Sequence, residues 1–184
     1  MKISIIIPAL NEEKYILQLL RDIKNQTLKD FEVLVADADS SDKTVEIAKK
    51  NGAKVVKGGL PGVGRNAGAR IAHGDFLFFL DADIRLPKDF LKNAYSEIKK
   101  RNLFLATCGF KPISCLLIDK AIFDTTNVLI KLSQYTRPLA PGACLFISKW
   151  LFEKVGGFDE KVKLAEDHDL IKRANRIKQL RVLE

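Results

Sequence analysis

Two aspartates separated by one residue, Asp81-Ala82-Asp83, directly follow the wholly apolar segment 76–80. Carboxylates at the end of a buried strand are costly unless a cation or a hydrogen-bond donor compensates them. Mg²⁺ and Mn²⁺ accept such oxygen ligands, and phosphate groups commonly complete the coordination. The alternative is a turn in which the aspartates cap the following backbone. The pair alone does not decide between a metal site and a turn.

A second acidic group, Glu166-Asp167-His168-Asp169, opens the last predicted helix. Carboxylates in a first helical turn are favourable because they complement the positive end of the helix dipole. A carboxylate can also take a proton from a reacting hydroxyl group. From the residues alone, Asp167 fits either explanation.

Segments typical of buried strands alternate with segments of helical periodicity, regularly in the first half of the chain and less so in the second. The predicted strands cover residues 3–7, 31–36, 54–57, 76–80, 103–109 and 143–147. The predicted helices cover a segment after Asn11 and residues 44–50, 64–72, 87–100, 113–132, 149–155 and 166–177. Asn11 is expected to cap the first helix, with Glu12 and Glu13 in its first turn.

This alternation predicts an open, mostly parallel sheet with helices on both faces. In such sheets ligands bind at the carboxyl ends of the strands. Three loops rich in acceptor atoms follow predicted strands, at residues 8–11, 37–42 and 81–83. We therefore expect these loops to converge on one edge of the sheet.

A dinucleotide-binding fingerprint is matched by Gly62-Val63-Gly64-Arg65-Asn66-Ala67, which reads GxGxxA between a predicted strand and a predicted helix. That fingerprint normally follows the first strand of a sheet, whereas two strand–helix units precede it here. The acid about twenty residues later is Asp83, which belongs to the aspartate pair. A dehydrogenase is therefore disfavoured.

The chain has 184 residues, enough for one α/β domain, and a formal net charge of +8. The charge favours an anionic partner but does not identify it, and we expect no nucleic-acid partner. Cys108, Cys115 and Cys144 lack CxxC spacing, which argues against a zinc site and favours a reducing compartment. No secretory signal or membrane span is visible, so we expect a cytoplasmic protein, including the inner face of a membrane.

The most apolar region, residues 113–132, is interrupted by Asp119, Lys120, Asp124 and Lys131. It is compatible with a core or dimer helix, or with a helix that lies on a membrane surface and receives a lipid acceptor. The sequence leaves peripheral membrane association and the oligomeric state open.

Several short motifs occur in order along nearly the whole chain. They are Ile5-Ile6-Ile7-Pro8-Ala9-Leu10-Asn11-Glu12, Val35-Ala36-Asp37-Ala38-Asp39-Ser40-Ser41-Asp42-Lys43-Thr44, Arg65-Asn66-Ala67-Gly68, His73-Gly74-Asp75, Asp81-Ala82-Asp83, Pro141-Gly142-Ala143, Val155-Gly156-Gly157-Phe158-Asp159-Glu160 and Glu166-Asp167-His168-Asp169-Leu170. In this order and spacing, the chain resembles family 2 glycosyltransferases of the nucleotide-diphospho-sugar transferase superfamily. The resemblance implies the GT-A fold, a three-layer α/β/α sandwich around a mostly parallel sheet.

The resemblance also implies roles for individual residues. Nucleotide-sugar binding is expected for Pro8, Asn11, Glu12, Asp37, Arg65, Asp81, Gly142 and Glu166. Within this set Arg65 is expected near the diphosphate. Asp83, together with Asp81, is expected to bind the metal that neutralises the leaving diphosphate, and Asp167 to act as general base.

The implied activity is that of an inverting hexosyltransferase that depends on Mn²⁺ or Mg²⁺. The donor would be a UDP- or GDP-sugar and the acceptor a saccharide hydroxyl or a polyprenyl phosphate. Ala38 stands where many members have a second aspartate that reads the nucleobase, so the nucleotide is not fixed. We expect one domain over residues 1–184, with a nucleotide-sugar-binding half (1–105) and an acceptor-side half (106–184). The alternative is a non-catalytic nucleotide-sugar-binding or scaffolding module of the same fold.

Overall fold

The computed structural model describes residues 2–184, which form strands and helices in alternation. In chain order they are β1 (Ile3–Ala9), α1 (Ile16–Lys24), β2 (Phe31–Asp37), α2 (Thr44–Lys50), β3 (Lys54–Lys57), α3 (Pro61–Ile71), β4 (Phe76–Leu80), α4 (Phe90–Lys100), β5 (Leu105–Cys108), α5 (Leu117–Ser133), β6 (Cys144–Ser148), α6 (Lys149–Lys154), α7 (Glu166–Asn175) and β7 (Arg181–Leu183). The predicted strands and helices all occur, and β7 is an additional strand.

All these strands lie in a single sheet with the order β3-β2-β1-β4-β6-β5-β7. Neighbouring strands run parallel except at β6, which is antiparallel to both β4 and β5. The mostly parallel sheet predicted from the sequence is confirmed. The antiparallel strand has a consequence for function, because Leu80 pairs with Cys144 and the start of β6 therefore lies beside the end of β4.

Two apolar cores cover the two faces of the sheet, as the predicted three-layer sandwich requires. Side chains of a strand alternate between the faces, so Ile5 and Ile7 of β1 enter one core and Ile6 enters the other. Helices α1, α2 and α4 pack on the first core, and α3, α6 and α7 pack on the second.

The predicted helix cap at Asn11 is wrong. Helix α1 begins only at Ile16, and its N-cap residue Tyr15 makes no side-chain capping hydrogen bond. Asn11 instead adopts a left-handed φ of 56° and accepts a hydrogen bond from the backbone N–H of Ser41 at 2.9 Å. Asparagine tolerates this conformation. Its side-chain oxygen accepts from Ser41, which is 30 residues away in sequence, and therefore does not cap the helix that local spacing had indicated.

Helix α3 begins three residues earlier than predicted, at Pro61 rather than Gly64. Proline is favourable in a first helical turn because its missing N–H would be unpaired there. Gly62 and Gly64 therefore lie inside the helix, not in a loop that cradles phosphates, which adds to the evidence against a dinucleotide-binding fingerprint.

Helix α3 approaches strand β1 closely at Gly68. A Cβ atom at this position would lie 2.5 Å from Cγ2 of Ile6, which is fully buried. A Cβ atom at Gly64, one turn earlier, would lie 3.5 Å from the Cβ of Ala36, an ordinary contact. Of these two positions, only residue 68 requires glycine for packing.

We expect Gly68→Ala to lower the free energy of unfolding by about 1–3 kcal/mol, because the added methyl group overpacks the β1–α3 contact. The matched control is Gly64→Ala, which gains the same helix propensity without the clash. Urea unfolding of both variants measures the difference. Equal stability of the two would contradict the packing role of Gly68.

Candidate active site

A cleft of about 700 Å³ opens at the carboxyl ends of β1 and β4. Its walls come from six loops or helix starts that are far apart in sequence. The lining residues are Pro8, Ala9, Leu10, Glu12, Ala38, Gly59, Leu60, Pro61, Arg65, Asp81, Ala82, Asp83, Gly142, Ala143, Glu166 and Asp167. The cleft lies at the edge where the sequence predicted a ligand site.

The two acidic motifs meet across the start of β6. The backbone N–H of Asp81 donates to the carbonyl of Ala143 at 3.1 Å, which continues the β4–β6 ladder. The neighbouring Gly142 lies against Asp167, since a Cβ atom at 142 would be 2.7 Å from Oδ2 of Asp167. Glycine therefore allows the loop 141–143 to fit between the two acidic groups.

The buried Arg65 connects the same two motifs from the opposite side. Its guanidinium donates to Oδ1 of Asp81 at 2.9 Å and to Oε1 of Glu166 at 2.5 Å. Arg65 is 5% exposed and its centre lies 5.6 Å from the ring of Phe158. Its Nε is buried and has no hydrogen-bond partner among residues 2–184. Helix α3 thus holds the end of β4 and the start of α7 through one side chain.

The carboxylates in this cleft repel one another. The pKa of Asp81 is raised above its ordinary value, first by burial and then by the charges of Asp83 and Asp167, although Arg65 acts in the opposite direction. The pKa of Glu12 is raised by burial and by Asp83 among its acidic neighbours. One guanidinium therefore does not compensate the negative charge of the cleft, and a cation would be favourable there.

The loops that follow β1 and β2 are joined by reciprocal backbone–side-chain hydrogen bonds. Asn11 N–H donates to Oγ of Ser40, and Ser41 N–H donates back to Oδ1 of Asn11. Within the β2 loop, Ser40 N–H donates to Oδ2 of Asp37. The other carboxylate oxygen of Asp37 is buried and has no hydrogen-bond partner in the part of the chain that the structure describes. Asn11 and Asp37 therefore support the wall of the cleft from behind but are not among its lining residues.

The model of the family described as glycosyl transferase family 2 matches residues 4–147 of the chain. The chain belongs to this family. The matched segment includes the β1 loop, Arg65, both aspartates at the end of β4 and Gly142. It ends before Glu166 and Asp167, whose position in the cleft is known from the geometry alone.

Two bacterial relatives of family 2 are similar over most of the chain. Poly(ribitol-phosphate) beta-N-acetylglucosaminyltransferase TarS of Staphylococcus aureus is 30% identical over 179 residues, covering 91% of this chain and 31% of that protein. Poly(ribitol-phosphate) beta-glucosyltransferase of Bacillus spizizenii is 31% identical over 180 residues, covering 91% and 28%. The chain spans about a third of the length of these curated relatives.

Solved structures confirm the GT-A fold. The structure of S. aureus TarS 1–349 in complex with UDP-GlcNAc has a TM-score of 0.79 at 28% identity, covering all of this chain and 56% of that one. The mannosyltransferase PcManGT from Pyrobaculum calidifontis, in complex with GDP-Man and Mn²⁺, has a TM-score of 0.82 at 23% identity, covering 98% and 54%.

The side chains that line the cleft provide only part of the ligands that a divalent cation needs. Within residues 2–184, no group of three or more His, Cys, Asp or Glu side chains is arranged to hold a metal by itself. Asp81 and Asp83 nevertheless offer carboxylate oxygens. The pKa of Asp81 is raised first by burial and then by the charges of Asp83 and Asp167, and a cation would relieve that repulsion. This set suits Mg²⁺ or Mn²⁺ that takes its other ligands from phosphate and water.

The sequence analysis did not identify some residues that line or support the cleft. Leu60 and Pro61 line the cleft because α3 starts earlier than predicted. Asn66 is buried below it, where its amide accepts from the N–H of Phe158 and donates to that residue's carbonyl, both at 2.9 Å. Asn66 thereby fixes the ring that lies against Arg65. A buried asparagine inside a helix was the available signal, since it must find partners elsewhere.

We expect Arg65→Met to lower the free energy of unfolding by about 3–5 kcal/mol, because it removes a buried guanidinium and leaves the partly buried carboxylates of Asp81 and Glu166 without their partner. The control is Arg70→Met, also on α3, which removes an exposed ion pair with Glu160 at 2.9 Å and should cost about 1 kcal/mol or less. Urea unfolding near pH 7 gives both values. Equal losses would contradict the bridging role of Arg65.

Proposed function

We propose that this chain is the donor-binding and catalytic domain of an inverting, metal-dependent glycosyltransferase. The observation that carries the proposal is the convergence of Asp81, Asp83 and Asp167 on one cleft. These residues come from the end of β4 and the start of α7, and Arg65 ties the two elements together. Such an arrangement would supply two carboxylate ligands for a cation beside a carboxylate base.

We propose a UDP-sugar as donor, with its nucleoside near Pro8 and Glu12. The similarity to TarS in complex with UDP-GlcNAc, at 28% identity, supports this choice. Ala38 lines the cleft without a polar side chain, so a GDP-sugar is the second candidate.

Asp81 and Asp83 would hold Mg²⁺ or Mn²⁺, which supplies the positive charge that the departing diphosphate requires. Arg65 keeps Asp81 oriented through its 2.9 Å hydrogen bond. Because both terminal nitrogens of Arg65 already contact carboxylates, its proposed influence on the diphosphate is through position and charge. Gly142 and Glu166 complete the wall on the sugar side.

Asp167 would act as the base in a single displacement. The acceptor oxygen forms a bond to the anomeric carbon, the bond from that carbon to the diphosphate oxygen breaks, and the hydroxyl proton passes to Asp167. The N–H of His168 donates to Oδ1 of Asp167 at 2.9 Å, and Gly142 leaves room beside Oδ2. Attack from the face opposite the leaving group inverts the anomeric configuration.

The acceptor would be a hydroxyl-bearing saccharide or polyol chain, or a polyprenyl phosphate. The names of two relatives specify poly(ribitol-phosphate), a phosphate-bearing polymer. The net charge of +8 favours such anionic acceptors. The second candidate function is a module that binds nucleotide sugar without turnover, which predicts ligand binding but no transfer.

We expect UDP with Mn²⁺ at saturating concentration to raise the midpoint of thermal unfolding by about 5 °C or more. The raised pKa of Asp81 lets protons compete with the cation above the ordinary aspartate range. The increase should therefore be full near pH 7 and should decline as the pH falls, with the decline beginning above the ordinary pKa of aspartate. A thermal-shift titration over pH measures it.

The Mn²⁺-dependent part of this shift should disappear in Asp83→Asn and persist in Asp30→Asn, a control that removes an exposed aspartate away from the cleft. If the Mn²⁺-dependent shift persisted in Asp83→Asn, the proposed metal site would be wrong. Loss of the shift in both variants would also contradict it.

We expect Asp167→Asn to lower sugar transfer or donor hydrolysis by about 10²–10⁴-fold while UDP binding is retained, because only proton transfer is removed. The matched control is Asp169→Asn, which removes the same charge from the same turn of α7. In the wild type the carboxylate of Asp169 pairs with Arg173 at 2.6 Å. Release of UDP from UDP-GlcNAc measures turnover. Retained turnover in Asp167→Asn would exclude its role as base, and wild-type binding without turnover would favour the non-catalytic module.

A further inference from the structure

Helix α5 (Leu117–Ser133) is attached to the domain by a narrow strip. Within it, Ile130 and Ser133 are buried. Asn127 adds a polar attachment, since its amide accepts from the N–H of Phe110 at 2.9 Å and donates to the carbonyl of Phe110 at 2.7 Å. The remaining surface of this helix is largely open to solvent.

The open side of α5 is apolar. At 3.6 residues per turn, seven of its nine apolar side chains fall on one arc of about 140°, which also includes Thr125 and points away from Ile130 and Phe123. We call this the α5 apolar face; its members are Leu117, Ile118, Ala121, Ile122, Val128, Leu129 and Leu132. All are exposed, with Leu117 at 81% and Ile118 at 67%. Helix α5 thus carries its larger apolar face on the side opposite the core.

Apolar side chains continue beyond both ends of the helix. Ile113 and Leu116 precede it, Tyr135 and Leu139 follow it, and all four are exposed. A contiguous apolar patch of this extent is typical of a surface that contacts another molecule or a membrane. No helix in the described part of the chain is long and apolar enough to cross a bilayer. Helix α5 could therefore meet lipid only by lying along its surface.

Charge favours a lipid surface over a second copy of the chain. Lys120 and Lys131 lie along one edge of the α5 apolar face, and Lys111 and Arg137 flank the helix. Two acidic residues, Asp119 and Asp124, partly offset these four cations. A second copy would bring one chain of net charge +8 against another, whereas an anionic bilayer attracts that charge.

We propose that helix α5 lies in the interfacial region of a membrane that contains anionic lipids. The α5 apolar face enters the acyl-chain boundary, and the ammonium groups of Lys120 and Lys131 reach the head groups while their methylene stems stay with the apolar side chains. This contact does not depend on sugar transfer in the cleft, so the proposed function can fail while the membrane contact stands.

Vesicle flotation of the 184-residue chain tests the proposal. The vesicles contain phosphatidylcholine alone or phosphatidylcholine mixed with phosphatidylglycerol. We expect binding to the mixed vesicles, weaker binding to phosphatidylcholine alone, and weaker binding at high salt, because salt screens the lysine–lipid attraction. The double variant Ile118→Gln/Leu129→Gln, in the centre of the face, should lower the partition coefficient by about tenfold or more.

Two further variants separate the apolar from the electrostatic contribution. Lys120→Gln/Lys131→Gln should reduce binding to mixed vesicles and leave binding to phosphatidylcholine nearly unchanged. Ile177→Gln, which alters an exposed apolar residue outside α5, should bind like the wild type. Far-UV circular dichroism and the thermal midpoint establish that each variant is folded.

Three results would overturn the proposal. They are the absence of flotation with mixed vesicles, equal flotation of wild type and Ile118→Gln/Leu129→Gln, and sedimentation equilibrium showing a dimer that this double variant dissociates without any vesicle binding. The last result would identify a second copy of the chain as the occupant of the α5 apolar face.

Discussion

The buried guanidinium of Arg65 is the interaction on which the cleft depends. It joins Asp81 at the end of β4 to Glu166 at the start of α7, two residues 85 positions apart in the sequence. Without a cation at this point, the carboxylates of both motifs would repel one another in a partly buried space. Separation of α7 from β4 would relieve that repulsion, and it would also open the cleft. One side chain therefore sets both the local charge and the distance between the two acidic motifs.

The support for this bridge extends through the second core. Asn66, one residue further along α3, fixes Phe158 by two backbone hydrogen bonds, and the ring of Phe158 lies against the guanidinium. The close approach of Gly68 to Ile6 then fixes the distance of α3 from the sheet. Residues 65, 66 and 68 of a single helix thus connect the site to the loop after α6 and to β1. The Arg65-Asn66-Ala67-Gly68 motif is explained by these three contacts.

Sequence reasoning predicted best those features that depend on neighbours in the chain. The bounds of α2, β3 and β4 were predicted without error, because alternation and helical spacing act within a few residues. The short β7 was missed, since three residues give little periodicity and the strand exists through its parallel pairing with β5. The antiparallel direction of β6 likewise depends on pairing partners far away in sequence. The cap assigned to Asn11 failed for the same reason, because Ser41 competes for its side chain.

The site shows the same division. Motifs in order along the chain led to Asp81, Asp83 and Asp167, which do line one cleft. Their separation could not be predicted, since it depends on the antiparallel β6 and on the approach of Gly142 to Asp167. Asp37 and Asn11 follow the expected strands. Their side chains, however, accept hydrogen bonds from the backbone N–H groups of Ser40 and Ser41 in the loop after β2. Position along a strand predicts the edge of the sheet, whereas competition among hydrogen-bond donors decides which side chains reach the ligand space.

The distribution of charge also constrains what the cleft can accept. Its carboxylates outnumber its one guanidinium, although the chain as a whole has a net charge of +8. The long-range field therefore attracts anions, while the cleft itself repels a bare diphosphate at short range. A divalent cation reverses the second effect, because it is attracted by Asp81 and Asp83 and then attracts phosphate. On the proposed function, the same balance explains why the acidic cleft and the basic surface belong together. The surface concentrates the anionic donor, and the cleft admits it as a cation complex.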